Sequence, residues 1–310
     1  MSLAFVWGQS GLLCFGQALF FGIGGYAMAV VTKGMLPFLP DGTAIGLIAA
    51  ILLAAGAALV MGLLLFRGQG LAGAYFAIVT LSAAVIAELL AGHWSFIGGF
   101  NGLLNVPPLR IGLGSKPVEL LDTRAVYYVL LGASLFVFAA LLWLERLPLG
   151  TVLRAVRDND RRTAYFGYDV GLYKTFSFTV GGAVAGLAGA LFVTQFGFVS
   201  PALIGVGLST EVLIWTAIGG REVLLAAYLG ALGVRWVEGE LSEALGEYWL
   251  LALGLLFVVS VVIAPAGVLG QLLKLPLPAR MLRLRSSYPP AMSAVSPPGP
   301  ESAGTAPTRR

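Results

Sequence analysis

The feature that most constrains this chain is a series of apolar runs, each long enough to cross a lipid bilayer as a helix. A spanning helix needs about 20 consecutive apolar residues. Residues 125–144 and 175–193 are two such runs, and they flank a polar segment at Glu145–Lys174. Hydrophobic residues make up 58% of the chain, whereas roughly 45–50% is usual in soluble domains. The sequence therefore predicts an all-α fold, a polytopic bundle of transmembrane helices.

The apolar pattern predicts about seven or eight membrane segments within a transmembrane domain that covers residues 1–274. The segments are expected at residues 10–33, 44–66, 71–92, 125–145, 175–195, 209–219, 222–236 and 248–270. Residues 275–310 are rich in Pro, Ser and Ala. Such a composition cannot bury enough apolar surface to fold, so this stretch is expected to be a disordered cytoplasmic tail.

The polar segment sets the orientation of the bundle, because loops rich in Arg and Lys stay on the cytoplasmic side. Its basic residues are Arg146, Arg154, Arg157, Arg161, Arg162 and Lys174. Counting crossings from a cytoplasmic segment 146–174 places 93–124 and 196–208 outside. The basic residues after 273 place the tail inside. Residues 209–236 then begin and end on the same side of the membrane.

One spanning helix cannot begin and end on the same side, so residues 209–236 need a break. Gly219, Gly220 and Arg221 are the predicted hinge of a re-entrant pair of short helices. Non-helical backbone at membrane depth is tolerated where it is buried in protein or lines a cavity. The alternative is one full helix that is followed by an inside loop at 235–247, since Glu has little weight in the orientation rule.

Three classes of membrane protein are considered. An ion-coupled secondary carrier needs ionisable groups within its helices, and Glu88 and Glu211 are the candidates. A membrane enzyme or metal protein is disfavoured because the chain has one His and one Cys. A permease driven by a separate ATPase needs a cytoplasmic docking element and a pathway. No GxxxxGK[ST] loop is present, so nucleotide hydrolysis would belong to other subunits. No cofactor, metal or nucleic acid is expected.

Several sequence blocks resemble the branched-chain amino-acid/urea family of ABC transporter permeases, in the order typical of that family. They are GLLCFGQALFFGIGGYAMAV (11–30), GAYFAIVTL (73–81), GGFNGL (98–103), RAVRDNDRRTAYFGYDVGLYKTFSF (154–178), GGAVAGLAGALFVTQFGFVSP (181–201), STEVLIWTAIGGRE (209–222) and LGLLFVVSVVIAPAGVLG (253–270). FGYDVGLYK and EVLIWTAIGGR are most similar to the urea branch. The resemblance implies a urea importer permease, with a branched-chain amino-acid permease as the alternative.

The resemblance also implies partners: a second permease subunit, two cytoplasmic ABC ATPase subunits and an extracytoplasmic substrate-binding protein. Residues 146–174 would dock the ATPase, and we call them the coupling segment. Its candidate residues are Arg154, Arg157, Asp158, Asp160, Arg161, Arg162, Gly167 and Tyr168. Residues 151–167 are expected to form a short helix that ends at Gly167. Arg161 stands where the importer motif EAAxxxG has Glu. The alternative is a solvated loop that only follows the orientation rule.

A pathway for a small polar solute should offer amide, hydroxyl or carbonyl partners, because an unpaired polar group in an apolar pore costs several kcal/mol. The candidates are Gln17, Tyr75, Thr80, Asn101, Gln195, Glu211 and Trp215. Gln17 stands where many members of the family have His. For each candidate, the alternative is a hydrogen bond between helices or an anchor at the membrane surface.

Overall fold

The computed structural model describes residues 1–37, 40, 42–67, 73–111, 118–119, 122–220, 223–245 and 254. The predicted helix at 248–270 (apart from residue 254), the predicted tail at 275–310 and Arg221 lie outside the described residues. Within the described residues the predicted all-α fold is confirmed. The α-helices are α1 (Ser2–Ser10), α2 (Gln17–Thr32), α3 (Thr43–Phe66), α4 (Ala74–His93), α5 (Thr123–Arg146), α6 (Pro148–Asp158), α7 (Asp160–Tyr165), α8 (Val170–Phe196), α9 (Val206–Gly219) and α10 (Leu224–Leu245).

Short irregular elements fill the two long loops that the sequence places outside. Three 3-10 turns lie at Ser95–Ile97, Gly99–Asn101 and Pro201–Leu203. The strands β1 (Leu103–Leu104) and β4 (Phe198–Val199) pair antiparallel and join the two loops. The strands β2 (Arg110–Ile111) and β3 (Val118–Glu119) also pair antiparallel, but both lie within the first loop. The sequence did not predict these strands, because two-residue strands have no period to detect.

Five described segments are long and apolar enough to cross a membrane. They are α3, α4, α5, α8 and the stretch Pro201–Gly219, which contains α9. α2 is apolar but has 16 residues, so at 1.5 Å per residue it is about 24 Å long. The chain is therefore a multi-pass membrane protein.

α8 lies at the centre of the bundle and packs closely on α2 and α3. A Cβ on Gly24 of α2 would lie 2.1 Å from the carbonyl oxygen of Gly186 on α8. A Cβ on Gly182 would lie 2.4 Å from the Cβ of Ala58 on α3. Small residues let helix backbones approach in this way, and the dispersion contacts that result are a main source of helix association in lipid. The glycines of α2 and α8 therefore place the two backbones in contact.

An aromatic cluster fills the space where α2, α3, α4 and α8 meet. Phe20, Phe66, Phe76 and Phe178 are all almost fully buried. The ring of Phe178 meets those of Phe20 and Phe76 edge-on, with centroids 5.2 and 5.5 Å apart. Edge-to-face pairs of this kind add to the stabilisation from burial alone. The cluster fixes α8 against three neighbouring helices.

The predicted helix at 10–33 begins too early, because α2 covers only Gln17–Thr32 and Ser10 is the last residue of α1, a helix that the sequence did not predict. Residues 11–16 between them are not helical, and we call them the α1–α2 break. Gly11 has a φ of +71° and its N–H donates to the carbonyl of Trp7, which ends α1. Apart from Gln17, residues 11–30 are mostly apolar or small, so periodicity gave no sign of the break.

The turn predicted at Gly219 and Gly220 is present, but the helix after it is longer than predicted. Gly220 has a φ of +123°, and a Cβ on Gly219 would lie 3.0 Å from the Cα of Gly230. α10 continues to Leu245, so the expected helix at 222–236 and loop at 235–247 are wrong. Its 22 residues give a length of about 33 Å. However, α10 carries Arg235, Glu238, Glu240 and Glu243, and it is not among the five segments that are apolar enough to cross a membrane. Good helix formers such as Glu and Leu explain the extension.

We predict that Gly24→Ala lowers the stability of the bundle in detergent, because its methyl group would overlap the Gly186 carbonyl. Overpacking of this kind typically costs about 1–3 kcal/mol. Thermal unfolding measures the change. Gly56→Ala on α3 is the matched control: a Cβ there meets nothing within 4 Å. Equal melting temperatures for the two variants would contradict close packing of α2 on α8.

Candidate functional site

Side chains from α4 and α9 pair with backbone groups at the α1–α2 break. The N–H of Phe15 donates to the hydroxyl of Thr80, 3.2 Å away. The N–H of Ala18, in the first turn of α2, donates to the hydroxyl of Ser209, also 3.2 Å away. Both hydroxyls are buried. The first four N–H groups of a helix have no partner within it, so these hydroxyls stabilise a helix that begins inside the bundle.

Gln17, the first residue of α2, lies at the same place and is buried. Its side-chain nitrogen donates to the hydroxyl of Ser2, 2.6 Å away, and to the carbonyl of Gly181, 3.2 Å away. Its side-chain oxygen has no hydrogen-bond partner among the described residues. Gln17 therefore joins α1, α2 and α8 and keeps one acceptor unpaired in the protein interior.

The other pathway candidates lie apart from the break. Tyr75, Asn101 and Gln195 are exposed. Glu211 and Trp215 are half-buried on α9, and the Arg235 guanidinium lies 5.6 Å from the Trp215 ring centroid. The structure brings Gln17 and Thr80 together at the break and places the remaining candidates elsewhere.

The coupling segment forms two short helices, α6 and α7, where one was predicted. Asn159 separates them: it has extended backbone, and its side-chain oxygen accepts from the N–H of Arg162, 2.9 Å away. Asparagine is favoured at helix N-caps for this reason. Gly150, Leu153 and Val156 form the buried face of α6. This spacing of three residues is that of an amphipathic helix lying on the bundle.

Charged residues of the coupling segment divide into an inward and an outward set. On the inward side, Arg157 donates to the carbonyl of Gly8, 2.7 Å away, and Arg154 donates to the carbonyl of Glu145, 3.2 Å away. Asp160 pairs with the buried Lys174 of α8. A buried charge is costly unless it is paired, so this pair holds α7 on α8.

The outward set faces solvent beside a groove of about 450 Å³ between α6 and α7. Its exposed members are Asp158, Arg161, Arg162, Tyr165, Phe166, Gly167 and Tyr168. Tyr165 is 89% exposed and Phe166 is 81% exposed. α7 ends just before Gly167, whose φ is +87°; the left-handed region costs glycine nothing. The expected end of the helix at Gly167 is therefore present.

Residues 1–261 match the protein family described as "Branched-chain amino acid transport system / permease component". The chain belongs to this family. Its relatives include the high-affinity branched-chain amino acid transport system permease protein LivM of Escherichia coli strain K12, with 32% identity over 87% of this chain and 66% of the relative. LivM of Salmonella typhimurium is 31% identical over 92% of this chain and 69% of the relative. The permease therefore spans about two thirds of the length of these relatives.

More distant relatives belong to another import system. The autoinducer 2 import system permease protein LsrC of Enterobacter sp. strain 638 is 29% identical over 47% of this chain and 40% of the relative. No solved structure matches the chain. These relatives are transport permeases rather than enzymes, and the permease is an inner-membrane protein. The comparisons do not support the expected closeness to the urea branch, and they favour the branched-chain amino-acid alternative.

Ser2, Gly8 and Ser209 make contacts at this site that the sequence did not predict. Ser209 opens the block at 209–222, but a single serine in an apolar helix gives no sign of its partner. Gly8 takes part through its carbonyl, which no side-chain pattern can reveal. Among the described residues, no three His, Cys, Asp or Glu side chains are grouped as a metal site would require.

We predict that Thr80→Val destabilises the permease, because the N–H of Phe15 loses its acceptor in a buried place. An unsatisfied buried group costs about 1–3 kcal/mol. Thermal unfolding in detergent measures the loss. Thr179→Val is the control, since the Thr179 hydroxyl bonds only the carbonyl of Thr175 one turn earlier in α8. A Thr80→Val variant as stable as the Thr179→Val control would show that the break does not depend on Thr80.

Proposed function

We propose that this chain is a permease subunit of an ATP-driven importer for branched-chain amino acids. The observation that carries the proposal is the family match over residues 1–261, together with LivM relatives that cover most of the chain. Urea is the second candidate substrate, because FGYDVGLYK and EVLIWTAIGGR resemble the urea branch. The partners would be a second permease, two ATPase subunits and an extracytoplasmic binding protein.

The α1–α2 break is the proposed part of the translocation pathway. Interrupted helices lie at the substrate sites of many transporters, with half-helix N-termini directed at anionic groups. An amino acid carries a carboxylate, and the N-terminus of a helix bears a partial positive charge. The partial positive charge at the N-terminus of α2 would attract the carboxylate without a Lys or Arg side chain at the break. Gln17, with its unpaired side-chain oxygen, would accept a hydrogen bond from the ammonium group.

The outward set of the coupling segment is the proposed ATPase docking surface. Exposed tyrosine and phenylalanine beside arginine are the residue types enriched where proteins bind one another. Phe166 and Tyr168 line the groove between α6 and α7, and Tyr165, next to Phe166, is 89% exposed. Their exposure favours docking over a solvated loop that only sets orientation, because an isolated loop has no reason to expose two adjacent aromatic rings.

We expect cells or proteoliposomes with the complete transporter to import radiolabelled leucine in an ATP-dependent manner. Unlabelled isoleucine and valine should compete with leucine, whereas excess urea should not. Import of urea without import of leucine would reject the amino-acid proposal and favour the second candidate. Uptake that survives ATP depletion and stops when the proton gradient collapses would instead indicate an ion-coupled carrier.

We predict that Gly167→Asp leaves membrane insertion intact but abolishes uptake, because it places a negative charge within the docking surface. Uptake and co-purification of the ATPase subunits measure the effect. Gly167→Asn is the matched control: it has nearly the same shape without the charge, and asparagine tolerates a positive φ. Normal uptake by the Asp variant would reject docking through this surface.

A further inference from the structure

α1 is a short buried helix that other elements hold at both ends. At its C-terminal end, the guanidinium of Arg157 on α6 donates to the carbonyl of Gly8 over 2.7 Å. The side-chain nitrogen of Gln9 donates to the carboxylate of Glu145 on α5 over 2.8 Å. At its N-terminal end, the hydroxyl of Ser2 accepts from Gln17. α1 therefore lies between the coupling segment and the α1–α2 break.

The hydrogen bond between the Arg157 guanidinium and the Gly8 carbonyl lies at the C-terminal end of α1, where a positive charge is most favourable. The last four carbonyls of a helix have no partner within it, and they carry the negative end of the helix dipole. A guanidinium pairs with such a carbonyl through a charge-assisted hydrogen bond, and its positive charge also interacts favourably with the negative end of the helix dipole. Gly8 is buried, so without Arg157 its carbonyl would have lost its hydrogen bonds to water and gained no hydrogen bond from the protein. The same guanidinium group is 3.2 Å from Asp158 through its Nε atom.

Close packing adds to this hydrogen bond. A Cβ on Gly11 would lie 3.0 Å from the Cγ of Arg157, so the arginine stem lies directly against the chain where α1 ends. A Cβ on Gly150 would lie 2.3 Å from the carbonyl oxygen of Glu145, so α6 also touches the end of α5. A displacement of α6 would therefore displace the C-terminal end of α1 with it.

We propose that Arg157 is a positioning residue that transmits movement of the coupling segment to α1 and, through Ser2 and Gln17, to the α1–α2 break. This inference rests on the proposed ATPase-driven function. It assigns the guanidinium of Arg157, whose side chain is still 31% exposed, to the C-terminal end of α1, although the sequence placed Arg157 on the docking surface. Transmission then belongs to Arg157, and docking belongs to residues such as Arg162 and Phe166, which line the groove between α6 and α7.

The test compares Arg157→Ala, Arg157→Lys and wild type in the complete transporter, using radiolabelled leucine, or urea if the wild type imports urea. We expect Arg157→Ala to retain co-purifying ATPase subunits while uptake per ATP hydrolysed falls about 10-fold or more, because a hydrogen bond to a charged group shifts an equilibrium by about that factor. Arg157→Lys keeps a charged donor and should restore part of the uptake. Arg67→Ala, at the end of α3, removes one cytoplasmic positive charge away from α1 and should import normally.

The outcomes separate this inference from the proposed function. Wild-type uptake per ATP in Arg157→Ala overturns the inference and leaves ATPase docking intact. Loss of the ATPase subunits from Arg157→Ala also overturns it, because Arg157 would then be a docking residue. If Arg157→Ala fails to fold, the Arg157→Lys variant provides the test. An Arg157→Lys variant that folds and hydrolyses ATP but imports no substrate contradicts the inference, because its positive charge should have preserved part of the uptake. Failure of the wild type to hydrolyse ATP during uptake rejects the proposed function itself.

Discussion

Between α1 and α2 the backbone leaves helical geometry, and all of residues 11–16 except Gly11 are buried or half-buried, so water can replace few of the lost hydrogen bonds. Each unsatisfied amide or carbonyl there costs several kcal/mol. The permease meets this constraint with single side chains from separate elements: Thr80 for the N–H of Phe15, Ser209 for the N–H of Ala18, and Arg157 for the carbonyl of Gly8. Elements that are distant in sequence are therefore joined at the break, and their relative positions depend on it.

The same constraint links the proposed pathway to the proposed docking surface. α6 lies flat on the bundle because Gly150, Leu153 and Val156 are buried. Arg154 and Arg157 of α6 reach inward to the ends of α5 and α1, whereas Arg161 and Arg162 of α7 are exposed. A segment that binds a partner on one face and a pathway helix on the other can pass displacement between them without chemistry of its own. Close backbone contact of α2 with α8 would keep the rest of the bundle fixed during such movement.

Much of the fold could be predicted from the sequence, because membrane-length apolar runs and a concentration of arginine are strong signals. The helices α3, α4 and α5 and the turn at Gly219 and Gly220 lie close to their predicted places. The division of residues 10–33 was not predictable, since Gly11 and Gly16 are two among many glycines in apolar helices. At the candidate site, Gln17 and Thr80 were selected for their hydrogen-bonding groups, and the structure brings them to one place. Tyr75, Asn101 and Gln195 have similar groups but are exposed.

The sequence by itself determined the class of protein, the number and order of most helices, and the family, because each depends on composition and local pattern. Tertiary structure alone decided which backbone groups Thr80 and Ser209 pair with and which helix end Arg157 reaches. Those features depend on partners far apart in the chain, such as Arg157 and Gly8 or Asp160 and Lys174. The sequence shows which side chains are charged, but the carbonyl or carboxylate that each of them contacts depends on how the helices pack.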